Sequence, residues 1–198
     1  MLPGEPGPHS RPRELVLIRH AQSLPDYDVP ADRWRLSPGG REQALALARE
    51  PFWRQIRTLH SSDEPKAVQT AEPAARRHGL SLRAVPALRE VRRPAGRLPG
   101  WEEAVRDYLT GTRGPESWES CAEADWRMAA AVARILSEHP AGDVAIVSHG
   151  TVLALYACRL LGLEDRFAFW TTIPFAGWAR VDPAARRLIR GFSTTPAH

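Results

Sequence analysis

At 198 residues the chain has the length of one domain, and its 43% hydrophobic and 25% charged residues describe an ordinary globular protein. A formal charge of +4 suits a small anionic ligand and is too mild for nucleic acid, because no basic block or RNA-binding aromatic signature accompanies it. The two cysteines, Cys121 and Cys158, lack CxxC spacing, the Pro/Gly-rich start has no signal-peptide core, and no apolar run reaches membrane-span length, so a reduced, cytoplasmic protein with no membrane association is expected.

Residues 1–13 read as a flexible tail ahead of a single domain over 14–195. Leu15-Val16-Leu17-Ile18 is a continuous apolar run, the pattern of a strand covered on both faces of a parallel sheet, and it breaks into Arg19-His20-Ala21-Gln22-Ser23. Leu24 to Leu36 has no period and reads as a loop over the strand end. Ser37-Pro38 supplies an N-cap and a first-turn proline for a crossover helix through Ala48, which Pro51 breaks or kinks before Phe52 to Ile56. Arg57 to Ser61 is a second strand, Pro65 to His78 a second helix stopped by Gly79, and Ser81 to Val85 a third strand. The periodicity deteriorates over 86–120, which reads as an irregular cover over a site with a short helix at Trp101 to Leu109. A long helix from Ser120 to His139, an apolar strand Asp143 to Val147, a helix Thr151 to Leu161, and a hairpin of Phe175 to Val181 with Arg187 to Phe192 complete the chain. The fold expected is α/β, with three α/β/α layers, a mostly parallel central sheet and an antiparallel C-terminal edge hairpin.

Three strands therefore end in polar groups: Arg19-His20, His60-Ser61-Ser62 and Ser148-His149-Gly150. In a parallel sheet these ends share one rim, where ligands of open α/β sheets bind. Arg19, His20, His149 and Lys66, the single lysine among 27 basic residues, form a cluster that calls for an anion, with phosphate the obvious candidate. The helix beginning near Gly150 would aim its first N–H groups at the same place. His60 reads as a structural core histidine.

Arg19-His20-Ala21-Gln22-Ser23 resembles the Arg-His-Gly-Glu/Gln-Ser/Thr signature of the histidine phosphatase superfamily, also called phosphoglycerate mutase-like. Ser37-Pro38-Gly39-Gly40-Arg41-Glu42-Gln43-Ala44, Ser61 to Ala71, Leu88-Arg89-Glu90 and Val147 to Gly150 resemble its further motifs, in order. The resemblance implies a phosphatase that hydrolyses a phosphomonoester, without metal or cofactor, through a phosphohistidine on His20. It implies that Arg19, Lys66 and His149 hold the phosphoryl oxygens, that Glu90 is the proton donor and then the base, and that Gln22, Ser23 and Gly150 line the phosphate site. Two positions depart from the pattern: Ala21 replaces glycine, which is harmless unless positive φ is needed, and Lys66 replaces arginine, which loses the planar fork and should weaken phosphate binding. By local sequence alone Glu90, beside Arg89, Arg92 and Arg93, equally suits a solvated ion-pair cluster. A mutase, a non-catalytic phosphate-binding regulatory module, and a metallohydrolase using His20, His149 and Asp63 or Glu90 are the alternative functions. The expected substrate is a small phosphorylated molecule or a phosphoprotein. The arginines at 83, 89, 92, 93 and 97 either select additional negative charge on it or are merely solvated.

Overall fold

The computed structural model describes residues 13–96, 98–111 and 116–195. The expected tail falls outside these except for Arg13, whose guanidinium donates to the carbonyls of Leu136 and His139. In chain order the elements are β1 (Leu15–Arg19), β2 (Ser23–Leu24), β3 (Arg35–Leu36), α1 (Pro38–Leu47), β4 (Ile56–Ser61), α2 (Pro65–His78), β5 (Leu82–Ala84), α3 (Trp101–Thr110), α4 (Cys121–Glu138), β6 (Asp143–Ser148), α5 (Gly150–Leu161), α6 (Arg166–Thr171), β7 (Trp178–Asp182) and β8 (Arg187–Ser193). The main sheet has the order β5-β4-β6-β1-β7-β8, with the first four strands parallel and the C-terminal pair antiparallel.

The unbroken apolar runs of β1 and β6 follow from helices on both faces. Leu15, Leu17, Val144 and Ile146 pack into one core with Val105 of α3, Met128 and Val132 of α4 and Leu153 of α5. Val16, Ile18, Ala145 and Val147 point the other way, into a second core with Leu47 of α1, Trp53, and Ala67 and Ala71 of α2. Alternation along the strand thus separates two cores instead of separating core from water.

The element boundaries have local causes. Ser37 Oγ accepts the Gly40 N–H at the start of α1, and Pro51 opens a separate 3-10 turn over Pro51–Gln55, so the crossover helix is broken, not kinked. Ser120 and Glu123 form a reciprocal capping box at the start of α4, and Gly79 ends α2 in the left-handed conformation. Two expectations change. The segment 24–36 is not wholly irregular, because Ser23–Leu24 pairs with Arg35–Leu36 and Ala31–Arg33 forms a 3-10 turn. The last hairpin starts at Trp178 rather than Phe175, since Ala176 adopts a φ of 52°, which no strand tolerates. The short α6 escapes periodicity analysis at six residues.

Candidate active site

β1 and β6 are parallel neighbours, with Arg19 opposite Ser148, so the residues that follow each strand emerge side by side. The His20 N–H donates to the Ser148 carbonyl, and the His20 and His149 ring centroids lie 5.1 Å apart. Nδ1 of His20 donates to the Ala21 carbonyl at 2.7 Å, which fixes the neutral tautomer and leaves Nε2 as the nitrogen with a lone pair. Burial, reinforced by His149, Lys66 and Arg19, holds the His20 pKa well below the ordinary imidazole value. His149 is lowered in the same direction, chiefly by burial and then by Lys66, Arg19 and Arg127. Both rings are neutral at physiological pH.

Arg19 is held on three sides. Its Nη1 donates to the Ile173 carbonyl at 2.5 Å, its Cζ sits 4.0 Å from the Phe175 ring centroid, and Gly150 backs it so closely that an added Cβ would lie 3.2 Å from its Cζ and Nε. Among the described residues its buried Nε has no hydrogen-bond partner, and neither ring nitrogen of His149 has one. Burial lowers the Arg19 pKa, with the Glu90 charge opposing it. Buried donors without partners, next to a tethered imidazole, are a group of atoms suited to an anion's oxygens.

Lys66 enters from the first turn of α2, buried, with its Nζ 2.5 Å from Glu64 Oε2 and 2.6 Å from the Ala31 carbonyl. Glu64 is the residue that sequence reasoning missed. It is the N-cap of α2, yet its side chain makes no cap hydrogen bond. Its Oε1 accepts the Glu90 N–H at 2.9 Å and lies 3.4 Å from His149 Nε2. The available signal was the triplet Glu64-Pro65-Lys66, an acid two residues before the single lysine. The lysine departure therefore does more than lose a fork, because its ammonium is already occupied by an internal carboxylate.

Glu90 corrects a second expectation. Its Oε1 accepts the N–H groups of Val91 and Val152, and its Oε2 accepts that of Thr151 at 3.1 Å. The buried N-terminus of α5 thus receives a side-chain carboxylate, and those two N–H groups are not directed at an incoming phosphate as the sequence suggested. Glu90 is also no solvated ion pair: Arg89 forks onto Asp63 at 2.6 Å, and Arg92 lies 3.5 Å from Glu119, which Arg127 also binds.

The remaining expected site residues divide. Ser23 lines the cavity, whereas Gln22 is spent on architecture. Its N–H donates to Gln43, its carbonyl receives the Ser37 N–H, and its Oε1 receives the Ser37 hydroxyl. That close passage explains Gly40, where a Cβ would sit 1.9 Å from the Gln22 carbonyl oxygen. Gly150 lies under Arg19, as described. Ala21 is fully buried with Leu36, Ala44 and Ala176, its φ is not positive, and its N–H donates to Thr70 Oγ1, so the methyl is accommodated. His60 lies apart, its ring 5.4 Å from that of His139, and burial lowers its pKa to about 4.

Above His20 opens a cavity of about 610 Å³. Arg19, His20, Glu64, Lys66 and Glu90 form its floor, and His149, fully buried, lies against His20 without reaching the cavity wall. Tyr27 and Trp34, from the segment ahead of α1, and Arg93, Leu98 and Trp101, from the segment leading into α3, supply its rim. Arg97 lies outside the described residues.

Residues 15–189 match the family model described as histidine phosphatase superfamily, branch 1. The chain belongs to the histidine phosphatase superfamily. Glucosyl-3-phosphoglycerate phosphatase of Mycobacterium tuberculosis is 30% identical over 181 residues, covering 77% of each chain. A probable phosphoglycerate mutase of Yersinia enterocolitica is 34% identical over 164 residues, covering 76% of this chain and 75% of the relative. A solved mycobacterial glucosyl-3-phosphoglycerate phosphatase superposes with a TM-score of 0.77 at 26% identity, covering 93% of this chain and 100% of that one. The phosphatase reading of the sequence and the expected α/β architecture agree with these superfamily relatives. No helix among the described residues is long and apolar enough to cross a membrane.

Proposed function

We propose that the protein hydrolyses phosphomonoesters through a phosphohistidine at His20 Nε2. The observation that carries this reading is the tethered, neutral His20 facing the cavity beside the partnerless Arg19 Nε and the His149 ring. In the first half-reaction the Nε2–P bond forms and the ester P–O bond breaks, with Glu90 giving a proton to the leaving oxygen. In the second, water attacks phosphorus, Glu90 takes the water proton, the P–Nε2 bond breaks, and phosphate leaves. Glu90 Oε2 accepts a single N–H, leaving a lone pair for that proton.

Arg19 and His149 stabilise the phosphoryl oxygens, and Lys66 joins them when a phosphate oxygen takes the place of Glu64 at its ammonium. Ser23 lies on the wall within reach of substrate, and the residues carry every step without a metal or cofactor. A cavity walled on both sides favours a small phosphorylated molecule over a phosphoprotein, and the two unpaired cysteines fit a reducing cytoplasmic setting. The relatives include probable phosphoglycerate mutases, and transfer of the phosphoryl group from His20 to an acceptor hydroxyl in place of water is the corresponding second reading.

The test is intact mass after brief incubation with 4-nitrophenyl phosphate and an alkaline quench. A phosphate adduct on wild type and none on His20→Ala is the expected result. Turnover that persists in His20→Ala refutes the reading.

A further inference from the structure

The rim of the cavity carries a cation that the hydrolytic chemistry does not use. Arg89 is neutralised by Asp63 and Arg92 faces Glu119, but Arg93 makes no ion pair or hydrogen bond among the described residues. Its Cζ instead lies 4.6 Å from the Trp101 ring centroid and 5.8 Å from that of Trp34, and the side chain is half-buried. The two indoles come from different segments, Trp101 from α3 and Trp34 from the segment ahead of α1. The acids that influence Arg93 at a distance are Glu90 and Glu64, on the floor, and both already have closer donors.

A guanidinium stacked on an aromatic face is attracted through that face, while its N–H edge stays available for hydrogen bonds. An edge of this kind, in a partly desolvated wall, fits a carboxylate or phosphate. The floor takes one phosphate, and a cavity of about 610 Å³ has room for much more than that group.

We infer that Arg93 reads a second anionic group on the substrate, so that the preferred substrates are phosphomonoesters whose alcohol portion carries a carboxylate or another phosphate. The inference rests on the proposed phosphatase reading for the placement of the first phosphate. The Trp101 and Trp34 rings hold the guanidinium charge over their faces, and Arg93 lines the same cavity as Arg19 and His20. An arginine that merely props two indoles apart predicts something different: its loss then affects acidic and neutral esters alike.

The experiment is a ladder of ω-carboxyalkyl phosphates of two to five carbons, each matched with the ω-hydroxyalkyl phosphate of the same length. An α,ω-alkanediol bisphosphate of each length distinguishes a carboxylate reader from a phosphate reader. Binding is measured by calorimetry on the full chain carrying His20→Asn, which removes turnover, with and without Arg93→Met or Arg93→Lys. The expected result is that at one length or more an acidic ligand binds about 10- to 100-fold more tightly than its neutral match, the gain of a charge-assisted bond. Arg93→Met then reduces the ratio to within about threefold of unity, and Arg93→Lys retains an intermediate preference. Absence of preference at every length, a preference that survives Arg93→Met, or an equal loss for both ligand classes overturns the inference. Wild-type hydrolysis of 4-nitrophenyl phosphate, measured in parallel, keeps the two readings separate. If it is absent while the Arg93-dependent preference remains, only the phosphatase reading fails.

Discussion

The floor and the rim of the cavity each hold an arginine without an acidic partner among the described residues, and the two are fixed by different means. Arg19 leaves the end of β1 and is pinned by the Ile173 carbonyl, the Phe175 ring and the backbone of Gly150. Arg93 lies in a segment without regular structure and is placed by two indole faces. Arg19 and His20 stand at the end of a central strand whose position the sheet sets, whereas Tyr27, Trp34, Arg93 and Leu98 of the rim lie on connections that can vary without disturbing the sheet. Rigid elements suit the reacting atoms, and loops suit the choice of substrate. Substitutions on the floor should therefore affect every substrate alike, and substitutions on the rim should change selectivity.

The largest effect is expected at His20. His20→Asn should lower kcat/KM for every phosphomonoester by at least about 10⁴-fold, while the circular dichroism spectrum is unchanged. The same ring sets a pH test. Burial holds the His20 pKa well below 6.5, so the free enzyme keeps its neutral nucleophile as pH falls from 7 through 6.5. The acid limb of kcat/KM that belongs to His20 should accordingly lie below pH 6.5. A limb at 6.5 that coincides with titration of the His20 ring followed by NMR would show an imidazole open to solvent.

Next comes the buried ion pair. Lys66→Met leaves Glu64 charged without its ammonium and should cost about 3–5 kcal/mol in a denaturant titration, whereas Glu64→Gln combined with Lys66→Met should recover much of that. If the single and double variants are equally unstable, the two residues do not act as a pair. Gly150→Ala places a methyl 3.2 Å from Arg19 Cζ and 3.3 Å from Trp170 Nε1. Displacing the guanidinium should reduce kcat/KM about 10- to 100-fold for acidic and neutral esters equally, which steady-state kinetics on a matched pair would show. The smallest effect is expected at the rim. Trp101→Ala removes one face of the Arg93 clamp and should reduce the preference for acidic over neutral esters by about two- to fivefold. A loss common to both classes would make Trp101 part of the general architecture and sharpen the claim on Arg93 alone.

The legible parts of the molecule are those with a local signature. The double-sided burial of β1 and β6, the N-cap at Ser37, the stop at Gly79 and the positions of His20 and His149 after strand ends all follow from runs of a few residues. The role of Glu64 and the hydrogen-bonded setting of Glu90 were not legible, for one shared reason. Each carboxylate is defined by a partner across the fold: Glu90 by the N–H groups of α5, and Glu64 by the Glu90 backbone and the His149 ring as well as the nearby lysine. Gln22 shows the same limit in reverse. Its motif suggests contact with phosphate, but the close approach of α1 at Gly40 commits its backbone and Oε1 to holding the loop.

By itself, then, the sequence determined the superfamily, the parallel sheet and which imidazoles emerge at its rim, because hydrophobic period and strand termination are properties of contiguous residues. The tertiary structure decided which acid meets Lys66, what caps α5, and which of several arginines remains without a counterion at the cavity. Those outcomes depend on distances between segments far apart in the chain, and pairing of charges at short range is settled only when folding brings them together.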